Sequence, residues 1–167
     1  MKLVVLADTH LPKRARDLPN EVWRAVDTAD VVFHAGDWVD EATLDRLEHR
    51  AARLIGVFGN NDGAGLRARL PEVAYVTLDG VRIAVVHETG DAHGREARAD
   101  LAFPDTQVLF FGHSHIPWDT ATPGGLRLLN PGSPTDRRRQ PTATFLSAEI
   151  VDSTLRHVAL IRLPPRG

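Results

Sequence analysis

The sequence reads as an α/β fold in which two β-sheets pack face to face beneath outer helices, and two patterns carry that expectation. In the first half, short apolar runs rich in Val, Leu, Ile and Phe alternate with amphipathic helical segments, as in layered α/β proteins. From residue 73 onward, runs of strand-forming residues flank tight-turn sequences, which signals antiparallel pairing.

In chain order, residues 2–7, 31–35, 53–58, 81–86 and 107–111 are the buried strands, and their near-continuous apolarity suits a sheet covered on both faces. Segment 20–29 puts Val22, Val26 and Ala29 on one helical face behind an expected Asn20 N-cap. Segment 40–51 does the same with Leu44, Leu47 and Ala51 behind Asp40, and a third helix is expected near 94–102. Residues 73–79 and 81–87 flank the hairpin turn Asp79-Gly80. Residues 116–122 and 126–130 flank Pro123-Gly124-Gly125, and 142–150 and 154–162 flank Asp152-Ser153. No repeat, low-complexity tract or long linker interrupts the chain, so its 167 residues suit a single domain, 1–167.

Composition excludes several classes of function. A net charge of -2 gives no global electrostatic reason to expect stable nucleic-acid binding or an anionic membrane partner. No apolar stretch approaches the length of a membrane span, and residues 1–8 do not resemble a signal peptide, so a cytoplasmic location is the default expectation. With no cysteine, disulfides, thiolate metal sites and cysteine nucleophiles are ruled out.

The positions of the polar residues are more informative. Asp8-Thr9-His10 follows the first strand, Gly36-Asp37 the second and Gly59-Asn60-Asn61-Asp62 the third. His87 ends the strand 81–86, and Gly112-His113-Ser114-His115 follows 107–111. Open α/β sheets bind ligands outside the carboxyl ends of their strands. Each motif alone is weak, being a common turn or cap, although the alternate residues of His113-x-His115 would project the same way from an extended segment. Together, five strand ends deliver Asp8, His10, Asp37, Asn60, His87, His113 and His115 to one edge. Imidazole and carboxylate donors without sulfur favour Mn, Fe, Zn or Ni. Seven donors exceed what one tetrahedral ion needs and suit two divalent ions sharing a carboxylate, a clamp for in-line displacement at phosphorus.

These motifs, in this order, resemble the calcineurin-like metallophosphoesterases, and Asn130-Pro131-Gly132-Ser133 looks like their small bacterial and archaeal phosphodiesterase branch. The resemblance runs from residue 3 to about 160. It implies a four-layer α/β/β/α sandwich of two mixed β-sheets flanked by helices. It implies two divalent ions, foremost Mn, with Asp8, His10, Asp37 and His115 at the first and Asp37, Asn60, His87 and His113 at the second. Asp37, Asn60 and His113 would be the catalytic set around a hydroxide held between the ions.

Two departures from the family pattern bear on the substrate. Many members follow the ligand Asn with His; here Asn61 stands there, and an amide cannot serve as a general acid. Asp62 after it is either a turn residue or a hydrogen-bond acceptor supporting a ligand histidine. The Arg that grips phosphate after Gly-Asp-x-x-Asp in the protein phosphatases is Glu41 here. A small phosphodiester therefore fits better than a phosphoprotein. The alternatives are a phosphomonoesterase, or a scaffold like the retromer subunit of this fold, which serves in protein assembly; such scaffolds lose metal-binding histidines, whereas this chain keeps four. An exposed late strand leaves a homo-oligomer open.

Among the remaining residues, His34 reads as a core or supporting histidine, and His49 and His157 as solvent-facing. His93 either faces the site or caps the next helix. Arg137-Arg138-Arg139 is either a solvated loop or a phosphate-steering patch, and Trp38 either walls the pocket or packs in the core.

Overall fold

The computed structural model of the protein describes residues 1–165. Strands β1 (Lys2–Leu6), β2 (Val31–His34) and β3 (Leu54–Gly56) are parallel neighbours, with β9 (Thr144–Val151) and β10 (Thr154–Arg162) added antiparallel beside β1, in the order β10-β9-β1-β2-β3. The second sheet contains β4 (Val73–Leu78), β5 (Val81–Val86), β6 (Val108–Phe110), β7 (Trp118–Ala121) and β8 (Arg127–Asn130) in the order β4-β5-β6-β8-β7. Its central pairs β5/β6 and β6/β8 are parallel and its outer pairs antiparallel, so both sheets are mixed.

The period of two along each strand builds the layers. Leu3, Val5 and Ala7 point between the sheets, where they share one apolar cluster with Phe33, Ile83, Val85 and Phe110. Val4 and Leu6 point the other way, into a cluster with Val22 and Val26 of helix α1 (Asn20–Thr28) and Leu44 and Leu47 of α2 (Glu41–Arg50). On the outer face of the second sheet, Ala84, Leu109 and Leu128 pack with Ala99 of α4 (Arg95–Ala102). The result is the α/β/β/α sandwich expected.

Local details depart from the sequence reading. Asn20 is the first helical residue of α1 rather than its cap. Pro19 takes the cap position, its carbonyl accepting from the amides of Val22 (3.0 Å) and Trp23 (3.2 Å). Proline fits there because its fixed φ and missing N–H cost nothing ahead of a helix. Asp40 caps α2 as expected, accepting from Thr43 N at 3.0 Å. Helix α3 (Ala64–Arg69) was not foreseen, because six residues with only Leu66 buried are too short to display a helical period. Strands β3 and β6 are shorter than the apolar runs that announced them. His49 and His157 are exposed as expected. No helix among the described residues is long and apolar enough to cross a membrane.

Candidate metal centre

The loops leaving β1, β2, β3, β5 and β6 meet at one edge of the sandwich. Backbone hydrogen bonds hold them together: Asp8 N to Gly36 O (3.0 Å), His10 N to Asp37 O (3.1 Å) and Gly112 N to His87 O (2.9 Å). The approach is too close for side chains at two positions. A Cβ on Gly36, which sits at φ +89°, would stand 2.7 Å from His87 Nδ1, and one on Gly59 would overlap the Asp37 carboxylate. Asp8, His10, Asp37, His113 and His115 themselves adopt left-handed backbone, with φ between 45° and 69°. Such conformations cost L-residues about 1–3 kcal/mol each and persist where a site requires them.

All seven sequence-predicted donors are brought together. His10 Nε2 lies 3.3 Å from His115 Nε2, 3.4 Å from Asp37 Oδ2 and 3.8 Å from Asp8 Oδ1, and His115 Nε2 lies 3.5 Å from Asp8 Oδ1. On the other side of Asp37, its Oδ1 lies 3.5 Å from His87 Nε2, which is 2.9 Å from Asn60 Oδ1. His113 joins through Nδ1, 3.1 Å from the same Asn60 oxygen, and lies half-exposed at the rim beside the exposed Asn60. Donor atoms of Asp8, His10 and His115 all fall within 4.8 Å of one another, as do those of Asp8, Asp37 and His87. Asp8 is thus common to both groups, and Asp37 spans them through its two oxygens.

Supporting hydrogen bonds aim the histidines. His87 Nδ1 donates to Ala35 O (2.7 Å) and His115 Nδ1 to Asp136 O (2.6 Å), which leaves each Nε2 lone pair pointing into the cluster. Asn61 donates twice to Asp37, from its backbone N (2.9 Å) and its side-chain amide (2.7 Å). Asp62 is the turn residue of the first expectation, its N–H donating to Gly59 O (3.2 Å), and its side chain does more. Its carboxylate accepts from the amides of Asp37 (3.0 Å), Val39 (2.8 Å) and Gly59 (2.7 Å), so it organises two loops and supports no histidine ring.

The site's electrostatics suit cations. Burial raises the Asp37 carboxyl, but the hydrogen bond and charge of His87 and the two donors of Asn61 outweigh it and hold the group well below the ordinary carboxylate range. Burial lowers His87, yet Asp37 and Asp8 bring it above its usual value. Burial lowers His115, and the nearby Arg138 adds to this against the pull of Asp8. Asp8 is fully buried, and neither of its carboxylate oxygens has a hydrogen-bond partner among the described residues. A buried carboxylate needs positive charge. Imidazole lone pairs and two carboxylates converging on common points fit divalent first-row ions in just the sense that the orphaned Asp8 demands.

A brace missed at the sequence level lies in the segment beginning Asn130-Pro131-Gly132-Ser133. Asn130 donates to Gly112 O (2.9 Å), Ser133 Oγ donates to Asp8 O (2.8 Å), and Thr135 Oγ1 donates to Thr9 O (2.6 Å). The motif was visible, but its contacts bridge 18 positions to Gly112 and more than 120 to Asp8 and Thr9, and they leave no local signal. His34 is a buried support: its Nδ1 accepts from Gly36 N (3.2 Å), so its Nε2 donates to Thr9 Oγ1 (3.1 Å). Trp38 is fully buried, stacked on His34 with its indole N–H donated to Val57 O, so it packs and cannot meet a substrate. His93 is exposed, its carbonyl accepts from Arg98, and Gly94 rather than His93 occupies the cap position of α4.

Comparison with known proteins agrees with this geometry. The family model of the calcineurin-like phosphoesterase superfamily domain matches residues 1–153. A probable metallophosphoesterase of Methanocaldococcus jannaschii is 35% identical over 141 residues, covering 81% of this chain and 69% of the relative. Among solved structures, a Thermotoga maritima protein aligns with a TM-score of 0.77 at 31% identity, covering 97% of this chain and 99% of its own. Vps29 of Entamoeba histolytica, crystallised in complex with Zn2+, aligns with a TM-score of 0.77 at 25% identity over 98% of each chain.

Proposed function

We propose, from the premise that this chain belongs to the calcineurin-like phosphoesterase superfamily, that it is a binuclear metal-dependent phosphodiesterase acting on small phosphodiesters. The observation that carries the proposal is the fully buried, unpartnered Asp8 carboxylate facing Asp37 and a ring of histidines. Asp8, His10, Asp37 and His115 would hold one ion and Asp37, Asn60, His87 and His113 the other. Two such ions, Mn foremost, supply positive charge for the phosphate oxygens and bring the pKa of coordinated water toward about 7.

The protein's own groups position and orient. Ala35 O and Asp136 O keep His87 and His115 in one tautomer. Asn61 holds the Asp37 carboxylate between the two groups. His113 and Asn60, at the open rim, are the ligands beside which a scissile phosphate enters. The preference for a diester rests on charge: a diester carries one negative charge fewer than a dianionic monoester, and Glu41 stands where the protein phosphatases carry the Arg that grips phosphate.

Bis(p-nitrophenyl) phosphate with Mn2+ tests the reading. Nitrophenolate release that disappears on chelation and in Asp37→Ala is expected, with turnover of the bis ester exceeding that of mononitrophenyl phosphate. A metal-loaded wild type inert towards phosphate esters would overturn it. Likeness to Vps29 favours a second reading, a metal-binding scaffold, which predicts bound metal without turnover.

A further inference from the structure

Beside the cluster, on the side of His10 and Asn61, lies a cavity of about 230 Å³ whose other walls include Lys13, Arg14, Asp136 and Arg138. Lys13 and Arg14 come from the loop after β1, and Asp136 and Arg138 from the segment after β8. Arg14 Nε reaches Asp136 Oδ2 at 3.3 Å and ties the two loops together. Neither the Lys13 ammonium nor the Arg138 guanidinium has a hydrogen-bond or ion-pair partner among the described residues. Two unpaired cations thus share a concavity with His10, a donor of the candidate metal centre.

The opposite side of the cluster differs in sign. There a cavity of about 180 Å³ is lined by Phe58, Arg67, Glu72 and Glu88. Its one cation, Arg67, is already engaged: the guanidinium sits 4.4 Å over the Phe58 ring and donates to Asp62 O (2.7 Å) and Gly59 O (3.1 Å). Glu88 Oε1 lies 3.8 Å from His113 Nε2, and with Glu72 the carboxylates of this hollow outnumber its single guanidinium. A phosphodiester seated at the cluster therefore meets a basic hollow on one side and an aromatic, acidic one on the other.

We infer that Lys13 and Arg138 form a subsite for a second phosphoryl group, so that the substrate is a phosphodiester whose retained arm carries a terminal phosphate and whose leaving arm is uncharged. The inference rests on the phosphodiesterase reading for the reaction and on the basic cavity for the substrate class. A dianionic phosphate suits a hollow lined by two cations that have no hydrogen-bond or ion-pair partner of their own, and charge-assisted contacts of this kind set which end of a diester faces which side.

The test compares two nitrophenyl diesters, the p-nitrophenyl ester of thymidine 5′-phosphate and the same compound bearing a 3′-phosphate. Wild type should prefer the 3′-phosphorylated ester by about tenfold or more in kcat/KM, and Lys13→Gln/Arg138→Gln should reduce the preference to about threefold or less. Arg139→Gln, one residue outside the lining, should leave the preference unchanged. Calorimetry with thymidine 3′,5′-bisphosphate on chelator-treated protein gives a readout independent of turnover, and the double variant should bind about tenfold more weakly. If both esters resist hydrolysis while this binding still depends on Lys13 and Arg138, the phosphodiesterase reading fails and the phosphate subsite stands. Equal preference and equal affinity in wild type and double variant would overturn the subsite.

Discussion

Replacing Asp8 by Asn should make the metal-free protein more stable and the metal-supplemented protein less responsive. Asp8 is 0% exposed, and its nearest cationic candidates, His115 Nε2 at 3.5 Å and His10 Nε2 at 3.8 Å, lie beyond a good hydrogen bond. An unsatisfied buried polar group costs about 1–3 kcal/mol, more when charged. The Asn amide removes the charge and offers an N–H to the His115 lone pair. With about 2–4 °C of Tm per kcal/mol for a chain of this size, the chelated variant should melt about 2–12 °C above chelated wild type. Divalent ion at one hundred times its Kd adds about 2.7 kcal/mol to wild type, or about 5–11 °C, and the variant should keep less than half of that. Thermal melts followed by circular dichroism, in EDTA and in excess Mn2+, read both quantities. A chelated variant that melts below wild type, or an undiminished response to Mn2+, would refute the reasoning.

Two further perturbations probe the frame around the cluster. His34 is held well below the usual histidine range, by burial first and then by the charge of His87, so it stays neutral in the fold and takes a proton when unfolded. Its contribution is therefore complete above about pH 6.5 and is lost as pH falls, by up to about 1.4 kcal/mol per pH unit, and His34→Gln should flatten the acid limb of urea-unfolding free energies measured in EDTA; an unchanged slope would remove His34 from the account. Gly59→Ala pushes a methyl into the Asp37 carboxylate and amide, and should lower Tm by about 2–12 °C while weakening Mn2+ binding in calorimetry, whereas a variant matching wild type in both would show that the loop yields freely.

How much of this was legible depends on whether the signal was local. The strands could be read because Leu3 through Leu6 and Val31 through Phe33 are apolar on both faces, and the donors because each stands directly after such a run. Asp40 could be read as a cap because capping acts over three residues. The cap of α1 was misassigned because Asn20 has the favoured chemistry, yet Pro19 has the favoured backbone. The role of the Asp62 carboxylate was hidden because its partners Asp37 and Val39 lie 25 and 23 positions away. The pairing of Lys13 with Arg138 in one hollow, like the grip of Ser133 on Asp8, exists only once β1 and β8 deliver their loops to the same end.

The donors do not come from one sheet. Asp8, His10, Asp37 and Asn60 follow strands of the first, and His87, His113 and His115 follow strands of the second, while the described strand pairings all run within a sheet and an apolar layer lies between them. A greasy seam resists separation but opposes sliding only weakly, whereas ions gripped from both banks would tolerate almost none. Loading the site should thus act as a rivet, locking the two halves of the sandwich in alignment, and slippage of one past the other by a single residue, about 3.3 Å, would dismantle the reaction centre while leaving every strand intact.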